Sequence, residues 1–265
     1  MIIPKIQDKL LYPEILWQKP LNIFKKMGGV LVFGNEKQDK DFLKFGEILY
    51  FFNLRKVLLA VSENLAVHYK NLIPDELLFL LPSIKEKQAI SKIYEKVVRH
   101  KNDFDIIVLC IGSSNNFVTQ EIIHKIKTIL KPIIFLNQPC QKRESTSVYF
   151  LDEKGAGLWI NAKPQNVLEN PIFALANLNK FLQNDDIIIL SLEKKIFVQN
   201  KEKTVLTNVP KDDKILLAAL VAAFWSQNIN KPFESAATAA FITKVFLENN
   251  HQIKNIDKVI NQIGG

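Results

Sequence analysis

The chain has 265 residues, of which 48% are hydrophobic, and carries a net charge of +8 at pH 7. Its length and apolar content exclude an intrinsically disordered protein and allow a substantial buried core. The lysines are scattered and the arginines are limited to Arg55, Arg99 and Arg143, so the charge pattern predicts solvated faces and not a nucleic-acid surface.

The first half of the chain alternates between strand and helix patterns. Short apolar runs predict strands at 29–33, 56–61, 77–82, 105–111 and 132–136. Apolar residues at helical spacing predict helices at 39–52, 89–100 and 119–130. This alternation is typical of βαβ units, so we expect an α/β fold with a mainly parallel sheet and helices on both of its faces.

The middle of the chain has a weaker pattern. Between residues 141 and 170, short apolar pieces occur at Ser147–Leu151 and at 158–160, separated by polar residues and two glycines. We expect an extra hairpin there, or a strand followed by a long loop. A helix at 171–182 and a central strand at 186–190 follow.

The last third predicts a β-hairpin, a loop and two Ala-rich helices. The hairpin strands are 195–199 and 204–208, and the helices occupy 216–227 and a segment that starts near Pro232. In many nucleotide-using enzymes the loop before such a helix carries glycines whose N–H groups hold phosphate. This loop, residues 208–214, has no glycine and holds Asp212 and Asp213.

No linker or internal repeat divides the chain, so we expect a single domain over residues 1–265 with residues 1–20 as an N-terminal extension. No apolar run approaches the roughly 18 residues needed to span a bilayer, which predicts no membrane contact. Without a signal peptide, Cys110 and Cys140 are expected to be free thiols in the cytoplasm. The four histidines lack metal-ligand spacing, so no protein-bound metal site is predicted.

Two segments show a resemblance to a known family. Residues 19–34 form a basic stretch, a glycine pair and an apolar strand that ends at Gly34. Near the other end, an Ala-rich helix ends at Gln227, and residues 232–237 read Pro-Phe-Glu-Ser-Ala-Ala. With the element order, these segments make the chain resemble the ribokinase-like fold, a three-layer α/β/α architecture. Within that fold, residues 16–250 look most like the ADP/ATP-dependent NAD(P)H-hydrate dehydratase family of nicotinamide nucleotide repair proteins.

The resemblance implies a carbon–oxygen lyase that uses ADP or ATP with Mg²⁺ to convert hydrated NADH or NADPH back to the normal cofactor. Transfer of a phosphoryl group to the hydroxyl makes that hydroxyl a leaving group. Such chemistry needs N–H groups that hold phosphate, a metal ion and a carboxylate base. The resemblance also implies a homo-oligomer and a nucleotide or NAD(P)H-type ligand.

The family's catalytic loop, Gly-Thr-Gly-Asp, is altered in this chain. Counting back from Gln227 without gaps places Ile215 at the position of the base, and Asp212 or Asp213 takes that position only if the loop slips by two or three residues. These two carboxylates are the candidate catalytic residues. The other interpretation is that they cap the following helix, where negative charge is stabilising.

The remaining family motifs have changed as well. Asn137 follows the strand at 132–136, where the family has an aspartate-rich run. Lys163 belongs to residues 162–166, which align with the family's Pro-His-Pro-Gly-Glu element. Ser191 stands where the family has the lysine of a Lys-Gly pair. The residues that these motifs leave as candidates for nucleotide or substrate binding are Gly34, Asn35, Gly112, Ser113, Asn137, Lys163 and Asn208.

Three hypotheses follow from an intact core pattern with altered motifs. The first is a relative of the dehydratases with lost or much reduced catalysis, a pseudoenzyme that serves as a binding or interaction protein. The second is an active divergent dehydratase with Asp212 or Asp213 as its base. The third is a protein that binds nucleotide or a small phosphate compound without turnover.

Overall fold

The structure is a computed structural model that describes residues 5–8, 28–34, 39–52, 54–70, 72–82, 87–109, 117–136, 145–183, 185–255 and 259. Ten strands in these ranges form one sheet. They are β1 (Lys5–Asp8), β2 (Gly29–Phe33), β3 (Lys56–Ser62), β4 (Leu78–Leu81), β5 (Ile106–Leu109), β6 (Ile133–Leu136), β7 (Ser147–Leu151), β8 (Ile187–Leu192), β9 (Lys195–Gln199) and β10 (Lys203–Asn208).

The strand order across the sheet is β1-β10-β9-β8-β7-β6-β5-β2-β3-β4. Neighbouring strands are parallel except where β9 pairs with β8 and with β10, so β9 alone among the described strands runs in the opposite direction. The order reverses beside β2, which lies between β3 and β5. In open α/β sheets, ligands bind outside the carboxyl ends of the strands near such a reversal.

Helices cover both faces of the sheet, as the alternating pattern predicted. In the described residues they are α1 (Asp39–Phe51), α2 (Glu63–Tyr69), α3 (Lys87–Arg99), α4 (Phe117–Lys127), α5 (Glu153–Ile160), α6 (Pro164–Glu169), α7 (Pro171–Leu178), α8 (Lys214–Gln227) and α9 (Pro232–Glu248). One buried apolar cluster joins the sheet to α1, α2, α8 and α9, and a second joins it to α3–α7. The predicted three-layer architecture is therefore confirmed.

The two Ala-rich helices are the most deeply buried of these elements. Every residue of α8 from Leu216 to Ser226 is buried, and α8 packs between α1 and α9. Alanine has a small side chain, so neighbouring helices can approach α8 closely on several sides. Trp225 is fully buried at the end of α8, and its indole N–H donates a 3.1 Å hydrogen bond to the carbonyl of Ile229.

The glycine-containing segment at the start of β2 packs against the end of α8. Gly28 has a φ of +78°, and a Cβ atom there would lie 2.5 Å from the Ser226 hydroxyl oxygen. Both its backbone conformation and its surroundings exclude larger residues. This glycine of the family-like segment therefore has a structural role.

The prediction of an extra hairpin at 141–170 is wrong. Ser147–Leu151 is a central parallel strand, whereas residues 158–160 belong to helix α5. Asp152 starts that helix because its Oδ1 accepts a 2.7 Å hydrogen bond from the Gly155 N–H. The alternative, a strand followed by a long loop, is correct for the strand only, since α5 and α6 occupy the expected loop.

Most other differences concern element ends. The helix predicted at 171–182 ends at Leu178 and continues as a 3₁₀ turn, Asn179–Phe181. Helix α2 and strand β1 were not predicted, and β1 adds a parallel edge strand beside β10 from within residues 1–20. The predicted hairpin is confirmed, and Asn200 Oδ1 fixes its turn by accepting hydrogen bonds from the N–H groups of Glu202 and Lys203.

Candidate functional site

The candidate site lies at the carboxyl edge of the sheet, where several described strands end. Gly34 follows β2, Asp152 follows β7, Ser191 is the penultimate residue of β8, and the loop 209–213 leads from β10 to α8. Because these strands are parallel, their carboxyl ends lie on the same edge. The N-terminus of α8 lies there too, as expected for an anion site in this kind of fold.

Asp213 is the N-cap residue of α8. Its Oδ1 accepts a 3.0 Å hydrogen bond from the Leu216 N–H, and its Oδ2 accepts one of 2.6 Å from Lys44 Nζ in α1. The carboxylate thus has one oxygen on the helix end and the other on an ammonium group. This geometry favours the interpretation of Asp213 as a cap.

Asp212 belongs to a second network that joins three parts of the carboxyl edge. Its Oδ1 accepts a 2.7 Å hydrogen bond from the buried hydroxyl of Ser191, and its Oδ2 lies 3.5 Å from Lys214 Nζ. The same ammonium lies 3.3 Å from Asp152 Oδ2. Lys214 therefore links the carboxylates that follow β7 and β10.

The two networks pair the ammonium groups of Lys44 and Lys214, which a phosphate would otherwise contact, with carboxylates of the chain. Three carboxylates, on Asp152, Asp212 and Asp213, are matched by two ammonium groups, on Lys44 and Lys214. One N–H group of the first turn of α8 is already bound to Asp213. In the described part of this edge, each of the three carboxylates therefore contacts at least one donor or ammonium group of the chain.

A nucleotide-bound Mg²⁺ ion does not fit the described residues. Hard cations of this kind are held by carboxylate oxygens. Here Asp152 and Asp212 would be the nearby oxygen ligands, but Lys214 Nζ already lies between them at 3.3 and 3.5 Å. The ammonium supplies the positive charge that a metal ion would otherwise provide. Among the described residues, no three His, Cys, Asp or Glu side chains form a group that could hold a metal ion.

Three of the predicted binding residues lie in the described part of the chain. Gly34 is closely covered by α1, because a Cβ atom there would be 2.7 Å from the Phe42 ring. Asn208 is exposed at the end of β10, opposite Lys195. Lys163 is an exposed N-cap residue of α6, and within the described residues no hydrogen bond or ion pair joins it to Asp212 or Asp213. Asn35, Gly112, Ser113 and Asn137 lie outside the described residues.

Sequence reasoning missed three participants in these networks: Lys44, Asp152 and Lys214. Asp152 had a usable signal, since an aspartate directly after a buried strand is a typical N-cap. Lys44 had no local signal, because it lies 169 residues from Asp213 along the chain.

None of the helices in the described residues has both the length and the apolar character needed to span a membrane.

The similarity of this chain to known proteins lies in its three-dimensional structure. Neither a protein-family model nor a curated protein sequence matches the chain. A hypothetical protein from Streptococcus mutans superposes with a TM-score of 0.72 at 13% identity, over 95% of this chain and 95% of that one. An ADP/ATP-dependent NAD(P)H-hydrate dehydratase from Bacillus subtilis, co-crystallised with ATP/Mg²⁺, gives a TM-score of 0.68 at 11% identity over 95% of this chain and 96% of that one.

A ribokinase-like superfamily protein from Enterococcus faecalis gives a TM-score of 0.66 at 13% identity, over 98% of this chain and 95% of that one. These superpositions extend over nearly the whole length of all the chains compared. The chain therefore has a ribokinase-like fold, as the sequence resemblance predicted. At identities this low the comparison establishes the fold, and activity has to be argued from the site.

Proposed function

We propose that this protein is a divergent relative of the ADP/ATP-dependent NAD(P)H-hydrate dehydratases with lost or much reduced catalysis. The observation that carries the proposal is the commitment of both candidate bases to partners within the chain. Asp213 binds the start of α8 and Lys44, and Asp212 binds Ser191 and lies beside Lys214. The proposal makes the protein a binding or interaction protein built on an enzyme fold.

A general base has to present a carboxylate oxygen to the hydroxyl from which it removes a proton. Both oxygens of Asp213 and both oxygens of Asp212 face a donor or a cation in the described structure. A substrate hydroxyl would have to displace one of these partners. The loop that carries the two acids also lacks the glycines that let a backbone approach phosphate closely.

Electrostatics supports the same proposal. Phosphoryl transfer depends on positive groups and N–H donors that stabilise the charge spread over the phosphate oxygens. Of the lysines at the described edge, Lys44 and Lys214 are each paired with a carboxylate, whereas Lys211 of the loop 209–213 is exposed. A phosphate that binds either of these paired ammonium groups would have to displace a carboxylate from it.

A second candidate, nucleotide or small-phosphate binding without turnover, is favoured by the positions of those two lysines. Lys44 and Lys214 flank the N-terminus of α8, where a helix dipole favours anions. ADP or ATP would bind by exchanging phosphate oxygens for the aspartate oxygens that the lysines now contact. An active dehydratase with Asp212 or Asp213 as its base would also need phosphate oxygens to replace the aspartate oxygens on these lysines. In addition, one aspartate carboxylate would have to leave its present partners to act as the base.

We propose that the protein forms a homo-oligomer and does not bind nucleic acid. The dispersed lysines give the chain its net charge of +8 without arginine clusters, which argues against a nucleic-acid surface. A cytoplasmic location remains part of the proposal. In that compartment Cys110 and Cys140 would remain free thiols.

The first experiment is thermal unfolding of the protein with and without millimolar ADP or ATP and Mg²⁺. A ligand present at about 100 times its Kd would add roughly 2.7 kcal/mol of stability and raise Tm clearly. Because we propose that the nucleotide site is lost, we expect no shift in Tm. A parallel assay measures conversion of hydrated NADH, with an active dehydratase as the positive control, and we expect no turnover. A clear Tm shift without turnover would support the binding-only candidate. Turnover that is abolished in Asp213→Asn or Asp212→Asn would overturn the proposed loss of catalysis.

A further inference from the structure

Gln199, the last residue of β9, is a fully buried side chain whose amide group has no hydrogen-bond partner among the described residues. Its exposed fraction is 0%, and neither Oε1 nor Nε2 contacts a donor or an acceptor of that part of the chain. Burial of an amide without hydrogen bonds is costly, so the large majority of buried side-chain polar atoms bind protein or ordered water. The Gln199 amide therefore marks a place where a polar partner binds.

The Gln199 side chain lies on the face of the sheet that α3–α7 cover. Phe197, two residues earlier in β9, belongs to the buried cluster of that face, and so does Ile188, which pairs with Gln199 across β8. Side chains two residues apart in a strand, or directly opposite in neighbouring strands, share one face of a sheet. The amide is thus enclosed beside Phe197 and Ile188, whose side chains cannot form hydrogen bonds with it.

A second buried amide oxygen lies beside the same end of β9. Asn179 begins the 3₁₀ turn Asn179–Phe181, and its Nδ2 donates a 3.5 Å hydrogen bond to the carbonyl of Lys201, two residues after Gln199. Asn179 Oδ1 is buried, and within the described ranges it has no partner. One amide donor group and two amide oxygens without partners therefore lie in the same layer of the fold, near the end of β9.

We infer that one buried water molecule binds between Gln199 and Asn179. The water accepts a hydrogen bond from Gln199 Nε2 and donates its two hydrogens to Gln199 Oε1 and Asn179 Oδ1. A primary amide can bind one water through both groups, because one of its N–H bonds points to the same side as its C=O. Buried waters make about three hydrogen bonds, so a single molecule satisfies all three atoms.

This water has a structural role at the amino edge of the sheet. Asn179 belongs to the 3₁₀ turn, whereas Gln199 belongs to the β9–β10 hairpin. The water adds a second link between the two segments, beside the direct bond from Asn179 to the Lys201 carbonyl. The site is independent of the proposed loss of catalysis, since the carboxylates of the candidate site lie at the opposite edge of the sheet.

An adjoining pocket gives the water a path to solvent. A cavity of about 400 Å³ is lined by residues that include Leu182, Asp186 and Lys201. Leu182 directly follows the 3₁₀ turn, and Lys201 is the residue whose carbonyl Asn179 contacts. Water can therefore enter from this pocket without separation of the helical layer from the sheet.

A crystal structure of the wild-type protein at a resolution that shows ordered waters is the direct test. We expect density for one water within about 2.7–3.2 Å of Gln199 Oε1, Gln199 Nε2 and Asn179 Oδ1. A direct hydrogen bond between the two amides, or no density beside them, would overturn the inference.

The direction of the change in Tm in Gln199→Met is the second test, because methionine keeps the length and the unbranched shape of glutamine. Loss of the bridge leaves Asn179 Oδ1 buried without its partner, so Tm should fall by about 2–4 °C. If the glutamine amide were buried without any partner, an apolar side chain would be better tolerated and Tm would rise. An unchanged or raised Tm would therefore contradict the bound water. Gln165→Met, at an exposed glutamine of α6, is the matched control and should leave Tm unchanged within about 1 °C.

A double-mutant cycle tests whether the two amides share the water. Asn179→Leu alone should also lower Tm, since it leaves the Gln199 amide without the bridge. The double variant Gln199→Met/Asn179→Leu should lose less than the sum of the two single losses, because no buried amide then remains to be satisfied. Strict additivity of the two changes in Tm would overturn the bridge between these residues.

Discussion

Lys44 in α1 and Asp213 at the start of α8 are 169 residues apart in the sequence, and their side chains are joined by a 2.6 Å hydrogen bond. The contact connects the first βαβ unit of the sheet to the loop that the family resemblance marks as catalytic. It lies at the N-terminus of α8, on the carboxyl edge of the sheet, where ligands bind in open α/β folds. The contact holds Asp213 Oδ2 on an ammonium group while Oδ1 caps the start of α8.

Asp213→Ala should destabilise the protein by about 1–2 kcal/mol, because it removes the N-cap hydrogen bond of α8 and the partner of Lys44. Asp213→Asn should cost less than about 1 kcal/mol, since asparagine is an equally good N-cap residue. Urea unfolding of both variants measures the difference. Equal losses of stability would show that the charge of Asp213, and not its capping oxygen, matters for folding.

Removal of the Lys44 side-chain charge should lower the stability of the protein only slightly. The side chains of Lys44 and Asp213 are 35 and 19% exposed, and ion pairs with this much solvent contact contribute about 1 kcal/mol or less. A double-mutant cycle with Lys44→Met and Asp213→Asn should therefore give a coupling energy below about 1 kcal/mol. A much larger coupling would mean that the pair is better shielded from water than its exposure indicates.

Ser191→Ala should lower stability by about 1 kcal/mol. The variant removes a buried hydroxyl that donates to Asp212 Oδ1 at 2.7 Å, whereas Asp212 itself can regain a hydrogen bond from water. Ser191→Thr is a useful comparison because it keeps the hydroxyl. If Ser191→Ala is instead neutral in thermal unfolding, the hydrogen bond to Asp212 makes no net contribution to folding.

Gly34→Ala should destabilise the fold by about 1–3 kcal/mol, since the added methyl group would overlap the Phe42 ring of α1. This prediction separates a structural from a ligand-binding role of Gly34. The double variant Gly34→Ala/Phe42→Leu should recover part of the loss left by the two single changes, because the smaller side chain makes room for the methyl group. Strict additivity of the two single changes would contradict the proposed overlap.

Trp225→Ala should cost about 3–5 kcal/mol because it leaves a large cavity beneath α8. Trp225→Phe keeps most of the apolar volume but leaves the Ile229 carbonyl without its indole donor, so we expect a loss of about 1–3 kcal/mol. Thermal unfolding of the two variants gives the comparison. A Phe variant as unstable as the Ala variant would indicate that the hydrogen bond, and not the volume, dominates.

The elements that local pattern could predict are those with long apolar runs or strong periodicity. Strand β8 and helix α8 are buried on all sides, and their apolar sequences show it directly. The segment from Asp152 to Glu169 was harder, because short helices with glycines inside carry little periodic signal. The one usable local signal there is Asp152, an aspartate directly after a buried strand, whose side chain caps the first of these helices.

The sequence alone determined the α/β class, the Ala-rich helices that pack against the sheet and the absence of glycine from the loop before α8. These properties depend on residues near one another in the chain, where periodicity and backbone freedom leave a direct trace. Tertiary structure alone decided that Asp213 contacts Lys44, that Asp212 contacts Ser191, and that Lys214 lies between Asp152 and Asp212. The three sets of contacts arise because parallel strands bring their carboxyl ends to one edge of the sheet, where side chains distant in sequence come within hydrogen-bonding distance.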